Sequence, residues 1–192
     1  MSVWTGPSGS AKTAALKVAA QELDIELCEW INPVDSSSFH VEFANFLSKS
    51  SSSLFGQDKR QVMFIEDHPN LFHDSIKDSV QSLLRAYSQQ SFGIPLVIIL
   101  SETKTDTEYF SVNSYIPRDL ISSVDVFKFN PIAVTYIKKA IKSIVEKEGL
   151  VQKQSDLDQL SQGGDIRNAI SNLQFLNIMG RYLYILICLL VT

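Results

Sequence analysis

One eight-residue stretch near the N-terminus constrains the fold more than any other part of the sequence. Residues 6–13 read Gly-Pro-Ser-Gly-Ser-Ala-Lys-Thr. The P-loop template is Gly, four residues of any type, Gly, Lys and then Ser or Thr, so the stretch departs from it only at Ala11. A short β-like run precedes the stretch, and apolar residues at helical spacing follow it. A strand, a Gly-rich turn and a helix in this order predict a loop that binds phosphate groups.

The chemistry of such a loop explains its residue types. Backbone N–H groups of the loop surround phosphate oxygens, and the following helix directs its positive end at them. Lys12 is expected to bridge the β- and γ-phosphates of ATP, and the Thr13 hydroxyl to bind Mg²⁺. Ala11 is expected to change the loop slightly, because glycine tolerates dihedral angles that alanine does not. The predicted cofactor-binding residues are Gly6, Pro7, Ser8, Gly9, Ser10, Ala11, Lys12 and Thr13.

A second motif places two carboxylates at the end of an apolar run. The sequence Val-Met-Phe-Ile-Glu-Asp over 62–67 is typical of a Walker B strand. Carboxylates at the C-terminal end of a parallel strand face the ligand crevice, so Glu66 is expected to bind Mg²⁺ together with Thr13. Asp67 is then the second catalytic candidate, although the usual order is Asp then Glu and its shorter side chain weakens a role as base. Taken alone, the pattern also fits a strand that ends in solvated acids.

Strands and helices alternate along the first two thirds of the chain, which predicts an α/β fold with a parallel sheet covered on both faces. Three amphipathic helices then follow Pro131 and predict a small helical domain. The predicted organisation is a nucleotide-binding domain over 1–130, a helical lid over 131–177 and a hydrophobic tail over 178–192. The predicted strands span 2–5, 24–31, 61–65, 95–100 and 124–129, and the predicted helices 14–23, 39–47, 74–87, 133–148, 155–163 and 166–176, with loops at 48–53 and 56–60.

Two later features complete a resemblance to a known family. Ser101 ends the third apolar strand after the loop, and residues 163–170 read Gly-Gly-Asp-Ile-Arg-Asn-Ala-Ile. The latter resembles the Gly-Asp-hydrophobic-Arg-x-Ala helix of clamp-loader lid domains. With the Phe-Asn-Pro-Ile run at 129–132, the chain resembles the clamp-loader branch of the AAA+ proteins from Val3 to Leu176. Within that branch, three runs resemble those of the checkpoint clamp-loader large subunit, which replaces the large subunit of replication factor C. They are Gly-Pro-Ser-Gly-Ser at 6–10, Glu-Trp-Ile-Asn-Pro at 29–33 and Glu-Asp-x-Pro-Asn at 66–70.

The resemblance implies roles and partners that the residues alone do not give. Ser101 and Arg167 would be the sensor residues next to the γ-phosphate, completing a catalytic set with Glu66 and Asp67. ATP and Mg²⁺ would be the cofactors. The subunit would join the small subunits of replication factor C and load a heterotrimeric checkpoint sliding clamp onto DNA in the nucleus, in response to DNA damage.

Several features leave other interpretations open. The chain starts at the P-loop strand and ends in a run that resembles nothing in the family, so we expect a subunit truncated at both ends. With Ala11 and the Glu66–Asp67 order, this makes a non-catalytic binding module without hydrolysis a second interpretation. An unrelated P-loop kinase or small-molecule ATPase is a third, but it predicts a substrate-binding lid instead of the helix that carries Arg167.

Charge and apolar content restrict the partners. The chain has 17 Lys and Arg against 21 Asp and Glu, a net charge of −4, which excludes a strongly basic nucleic-acid binder. Any contact with DNA would therefore need a local basic patch or a partner's surface, and the resemblance implies contact through the assembled complex. The ten apolar residues at 182–191 are far fewer than the roughly 20 that span a bilayer, so no membrane association is expected.

Overall fold

A computed structural model of the chain describes residues 1–33, 38–52, 60–69, 71, 73–90, 93–102 and 112–191. The chain divides into two compact units. The first consists of Met1–Pro7 and Ala11–Phe129, and the second of Ser8–Ser10 and Asn130–Thr192.

The first unit is built on a parallel sheet, which confirms the predicted α/β class. Its five strands lie in the order β2-β3-β4-β1-β5, and every neighbouring pair is parallel. The strands are β1 (Ser2–Pro7), β2 (Ile25–Glu29), β3 (Arg60–Ile65), β4 (Leu96–Glu102) and β5 (Asp125–Lys128). The helices of this unit are α1 (Lys12–Glu22), α2 (Phe39–Ser52), α3 (Asp74–Ser88) and α4 (Val112–Tyr115).

Helices pack on both faces of this sheet. Successive residues of a strand point to opposite faces, and β4 shows this alternation among fully buried side chains. Ile98 and Leu100 belong to a large cluster that includes residues of α2 and α3. Val97 and Ile99 belong to a smaller cluster on the other face, which Leu16 of α1 completes. Burial on both faces explains why the strand is a continuous apolar run.

The second unit is helical and has its own small core. It contains α5 (Val134–Lys147), α6 (Gln154–Leu160), a 3₁₀ turn (Ser161–Gly163) and α7 (Ile166–Val191). Each helix contributes apolar side chains from one face to this core, as the helical spacing predicts. The buried core residues are Ile137, Ile141, Leu157, Ala169 and Leu173.

Two predicted boundaries are wrong. The predicted loop at 48–53 is largely helical, because α2 continues to Ser52, and Arg60 already belongs to β3; the rest of the predicted loop lies outside the described residues. The last helix does not end at Leu176 but continues to Val191, since the apolar run that follows contains no proline to stop it. Among the described residues, none of the helices combines the length and the apolar character that a membrane span requires.

Candidate functional site

The predicted phosphate loop connects β1 to α1. In the sheet β1 lies between β4 and β5, and its last residue is Pro7. Gly6 has a φ of 149°, and a Cβ at this position would lie 2.3 Å from the carbonyl oxygen of Phe129. That contact is shorter than any side chain allows, so residue 6 must be glycine for β1 and the segment after β5 to lie this close. The close approach of the Phe129 backbone thus fixes the position at which the loop begins.

Ala11 stands where the template has glycine. Its dihedral angles are φ 65° and ψ 21°, in the left-handed region, and its carbonyl accepts a 2.8 Å hydrogen bond from Ala15 N at the start of α1. For a residue with a Cβ this conformation costs roughly 1–2 kcal/mol. Alanine in place of glycine therefore strains the backbone at the start of α1.

Lys12 is buried, with 5% of its surface exposed. Its Nζ donates hydrogen bonds to the carbonyl oxygens of Gly6 and Pro7, each at 2.8 Å. The ammonium group thus folds back across the loop that contains it and places a positive charge inside the turn. A group with several acceptor oxygens, such as a phosphate, can exchange with these carbonyls as the partner of the ammonium.

The two predicted magnesium ligands lie together. Thr13 Oγ1 donates a 2.6 Å hydrogen bond to Glu66 Oε1 and so connects the first turn of α1 to the end of β3. A hydroxyl and a carboxylate oxygen are the hard donors that Mg²⁺ prefers, alongside water and phosphate. The donor set therefore fits Mg²⁺.

The carboxylate of Asp67, the next residue after Glu66, has a different partner. Asp67 is exposed and accepts a 3.4 Å hydrogen bond from the backbone N–H of Asn32, in the segment that follows β2. Strand β3 has β2 on one side and β4 on the other. Glu66 thus contacts the helix of the phosphate loop, whereas Asp67 contacts the β2 side.

Ser101 lies beside the loop on the other flank. It is exposed near the end of β4, and the sheet register pairs it with Gly6 of β1. The ends of β1, β3 and β4 meet at one edge of the parallel sheet, so the sheet brings Ser101 close to the loop and Glu66 to the loop helix.

Arg167 belongs to the second unit, in the first turn of α7. The Asp165 carboxylate caps this helix by accepting hydrogen bonds from the N–H groups of Arg167, at 2.9 Å, and Asn168, at 3.2 Å. Within the same unit, Arg167 Nη2 donates to the hydroxyl of Ser8 at 3.3 Å. The cap explains why Asp165 immediately precedes this helix, since Asp is among the strongest N-cap residues.

The sequence analysis missed one residue of this region. His68, two positions after Glu66, looks like an ordinary loop residue in the sequence, but its ring is largely buried. Its Nε2 lies 2.7 Å from the carbonyl oxygen of Ile99 in β4, and its ring meets that of Tyr115 edge-on, with centroids 4.9 Å apart. Burial lowers the pKa of His68 below its ordinary value, although the bond to Ile99 and the charges of Asp67 and Glu66 oppose the shift. No sequence signal marks this histidine, because the contact depends on where β3 ends.

This chain is similar in sequence to known proteins. Residues 1–57, which include the loop, match the family model described as the Rad17 P-loop domain. The chain is 30% identical over 213 residues to the Checkpoint protein rad17 of Schizosaccharomyces pombe, covering 88% of this chain and 35% of that protein. It is 30% identical over 211 residues to the human Cell cycle checkpoint protein RAD17, with 89% and 30% covered. A Replication factor C small subunit of Natronomonas pharaonis is 27% identical over 186 residues, with 93% and 52% covered. The chain thus spans about a third of the length of these checkpoint relatives.

Proposed function

Because this chain is a relative of the Rad17 checkpoint proteins, we propose that it is the ATP-binding part of a clamp-loader subunit in the DNA-damage checkpoint. The observation that carries the proposal is the hydrogen bond between Thr13 and Glu66, which joins the phosphate loop to the acidic end of β3. These are the two elements that bind Mg²⁺ and phosphate in P-loop ATPases. Similarity over 88% of the chain argues against an unrelated P-loop kinase.

In this proposal each residue has a distinct task. Lys12 exchanges its bonds to the loop carbonyls for the β- and γ-phosphates of ATP. Thr13 and Glu66 hold Mg²⁺, which supplies positive charge for the phosphate oxygens. Ser101 and Arg167 respond to the γ-phosphate. ATP binding would then select one of two conformations of the subunit, and hydrolysis would reverse that choice.

The proposed partners rest on the resemblance to clamp-loader subunits. The subunit would assemble with small subunits of replication factor C and act on a heterotrimeric sliding clamp in the nucleus. With a net charge of −4, the chain would contact DNA through the assembled complex. We assign residues 1–130 to nucleotide binding and 131–177 to the lid, followed by the apolar tail.

A titration with fluorescent ATP and ADP tests nucleotide binding. Lys12→Ala removes the buried ammonium, and we expect it to weaken binding at least about 100-fold, since it deletes a charge-assisted contact to two phosphates. Lys17→Ala is the matched control, because Lys17 is an exposed lysine of the same helix. Equal binding by wild type and Lys12→Ala would overturn the proposal.

A second candidate function is a nucleotide-binding module that does not hydrolyse ATP. The observation that favours it is the position of Asp67, whose carboxylate bonds to Asn32 on the β2 side. Phosphate release under single-turnover conditions separates the two. Turnover that Glu66→Gln abolishes supports an ATPase, whereas tight binding without turnover supports the module.

A further inference from the structure

We propose that His68 is a positioning residue that holds the Glu66 carboxylate in place beside the phosphate loop. The inference rests on the proposed function of the loop as a nucleotide site. It concerns a side chain that neither the P-loop nor the Walker B pattern includes. Three features of the structure carry it: where the β3 ladder ends, what the imidazole contacts, and where Glu66 lies between its fixed neighbours.

The hydrogen-bond ladder between β3 and β4 ends before a backbone donor of β3 reaches the carbonyl oxygen of Ile99. Met63 N donates to Pro95 O at 2.9 Å, and donors in a parallel ladder recur every second residue. The same spacing would pair Asp67 N with Ile99 O, but β3 ends at Ile65. His68 Nε2 takes this acceptor at 2.7 Å. A carbonyl oxygen only accepts, so Nε2 must carry the hydrogen. The imidazole thus replaces a backbone donor of the ladder.

The ring itself is held from a second side. Tyr115 of α4 is fully buried and meets the imidazole edge-on. Its hydroxyl has no hydrogen-bond partner among the described residues, so the ring contributes through packing alone. A ring with a hydrogen bond on one side and an aromatic neighbour on another has little freedom to rotate.

Glu66 lies between two anchored points as a consequence. Ile65 before it is fixed in the sheet, and His68 after it is fixed to β4. Only Glu66 and Asp67 bridge the two points, and the Glu66 carboxylate reaches Thr13 from this short span. Metal sites require ligands held to within about 0.5 Å, so loss of the second anchor is expected to loosen the magnesium site specifically.

Magnesium-dependent affinity is the test, measured as the ratio of the ADP dissociation constants without and with Mg²⁺. His68→Leu keeps the bulk but removes the donor, and we expect the ratio to fall about tenfold while affinity without Mg²⁺ is retained. His68→Gln restores an N–H donor and should recover most of the ratio. His73→Leu, an exposed histidine at the start of α3, is the matched control and should change nothing.

A second measurement tests the same proposal without nucleotide. Amide hydrogen exchange over residues 62–69 should be faster in His68→Leu than in His68→Gln. If His68→Leu fails to fold, His68→Asn is the substitute, because it stays polar but is too short to reach Ile99. A full magnesium ratio in a folded variant without the donor would overturn this inference alone. Absence of nucleotide binding by the wild type would overturn the proposed function and this inference with it.

Discussion

The Thr13 hydroxyl donates a 2.6 Å hydrogen bond to the Glu66 carboxylate, across 53 positions of the chain. The bond joins the first turn of α1 to the residue that follows β3. A charge-assisted bond of this length is among the stronger polar contacts in a protein. It brings the two halves of the proposed magnesium site together.

Replacing Thr13 tests this relationship. Thr13→Val keeps the shape but removes the hydroxyl, and we expect the magnesium-dependent part of nucleotide affinity to fall about tenfold or more, since hydrogen bonds to charged groups contribute about 1.5–3 kcal/mol. Calorimetric titration of ADP with and without Mg²⁺ measures it. Thr13→Ser keeps the hydroxyl and should behave almost as wild type. Unchanged magnesium dependence in Thr13→Val would show that the hydroxyl does not contribute to the site.

Ala11→Gly should stabilise the protein. It relieves the left-handed strain at φ 65° but adds freedom to the unfolded chain, so we expect a net gain of about 0.5–1 kcal/mol in the free energy of unfolding. Ala19→Gly makes the same substitution within α1 and should cost about 0.5–1 kcal/mol instead. Urea unfolding of both variants shows whether each substitution raises or lowers the free energy of unfolding. A loss in Ala11→Gly would contradict the assignment of strain.

Gly6→Ala should be severely destabilising. Its Cβ would lie 2.3 Å from a backbone oxygen, and neither backbone can move without breaking the contact between β1 and β5. We expect a loss of more than about 3 kcal/mol, beyond the range of ordinary substitutions. Gly163→Ala is the control, because nothing lies within 4 Å of a Cβ there. Similar thermal unfolding midpoints for the two variants would refute the steric argument.

Local chemistry made much of this molecule predictable. The P-loop motif located β1, the turn and α1, and the apolar run at 96–100 identified a strand buried on both faces. The spacing of Gly-Asp before Arg167 marked a helix start that Asp165 indeed caps. In each case the residues that decide the structure are neighbours in the sequence.

The remaining features depend on contacts between distant segments. His68 contacts Ile99 because β3 stops at Ile65 while β4 continues, and no sequence pattern around His68 indicates the length of another strand. The sequence likewise named Glu66 and Asp67 as a pair, but only the strand order shows that they face different neighbours. The extension of α2 to Ser52 through a serine-rich run also goes against local propensity, which favours a loop there.

Alkaline pH should destabilise the protein through Tyr87. Its hydroxyl donates to the carbonyl oxygen of Ile94, and burial raises its pKa to about 12 from an ordinary value of about 10. The unfolded chain therefore loses the proton first, so stability is intact below pH 10 and falls as the pH rises from about 10 to about 12. Complete burial also raises the pKa of Tyr115.

Denaturant unfolding between pH 9 and 11 measures this loss. Tyr87→Phe removes the titrating group, so the stability of this variant should decline less steeply with pH than that of the wild type. Its stability at pH 9 should be lower than that of the wild type, because it lacks the hydrogen bond to Ile94. Tyr136→Phe is the control, since Tyr136 is 70% exposed. Identical slopes in all three proteins would mean that Tyr87 does not resist ionisation.

The small core of the second unit allows a test of the proposed domain division. Ile141 is fully buried there, in a cluster with Ile137, Leu157, Ala169 and Leu173, so Ile141→Ala should cost about 2–5 kcal/mol. If residues 131–177 form a lid that folds on its own core, amide exchange should accelerate across α5 to α7 but not in β4. Ile98→Ala, in the first unit, should give the reverse pattern. Exchange that accelerates equally in both units in either variant would instead show one cooperative folding unit and remove the basis for a separate lid domain.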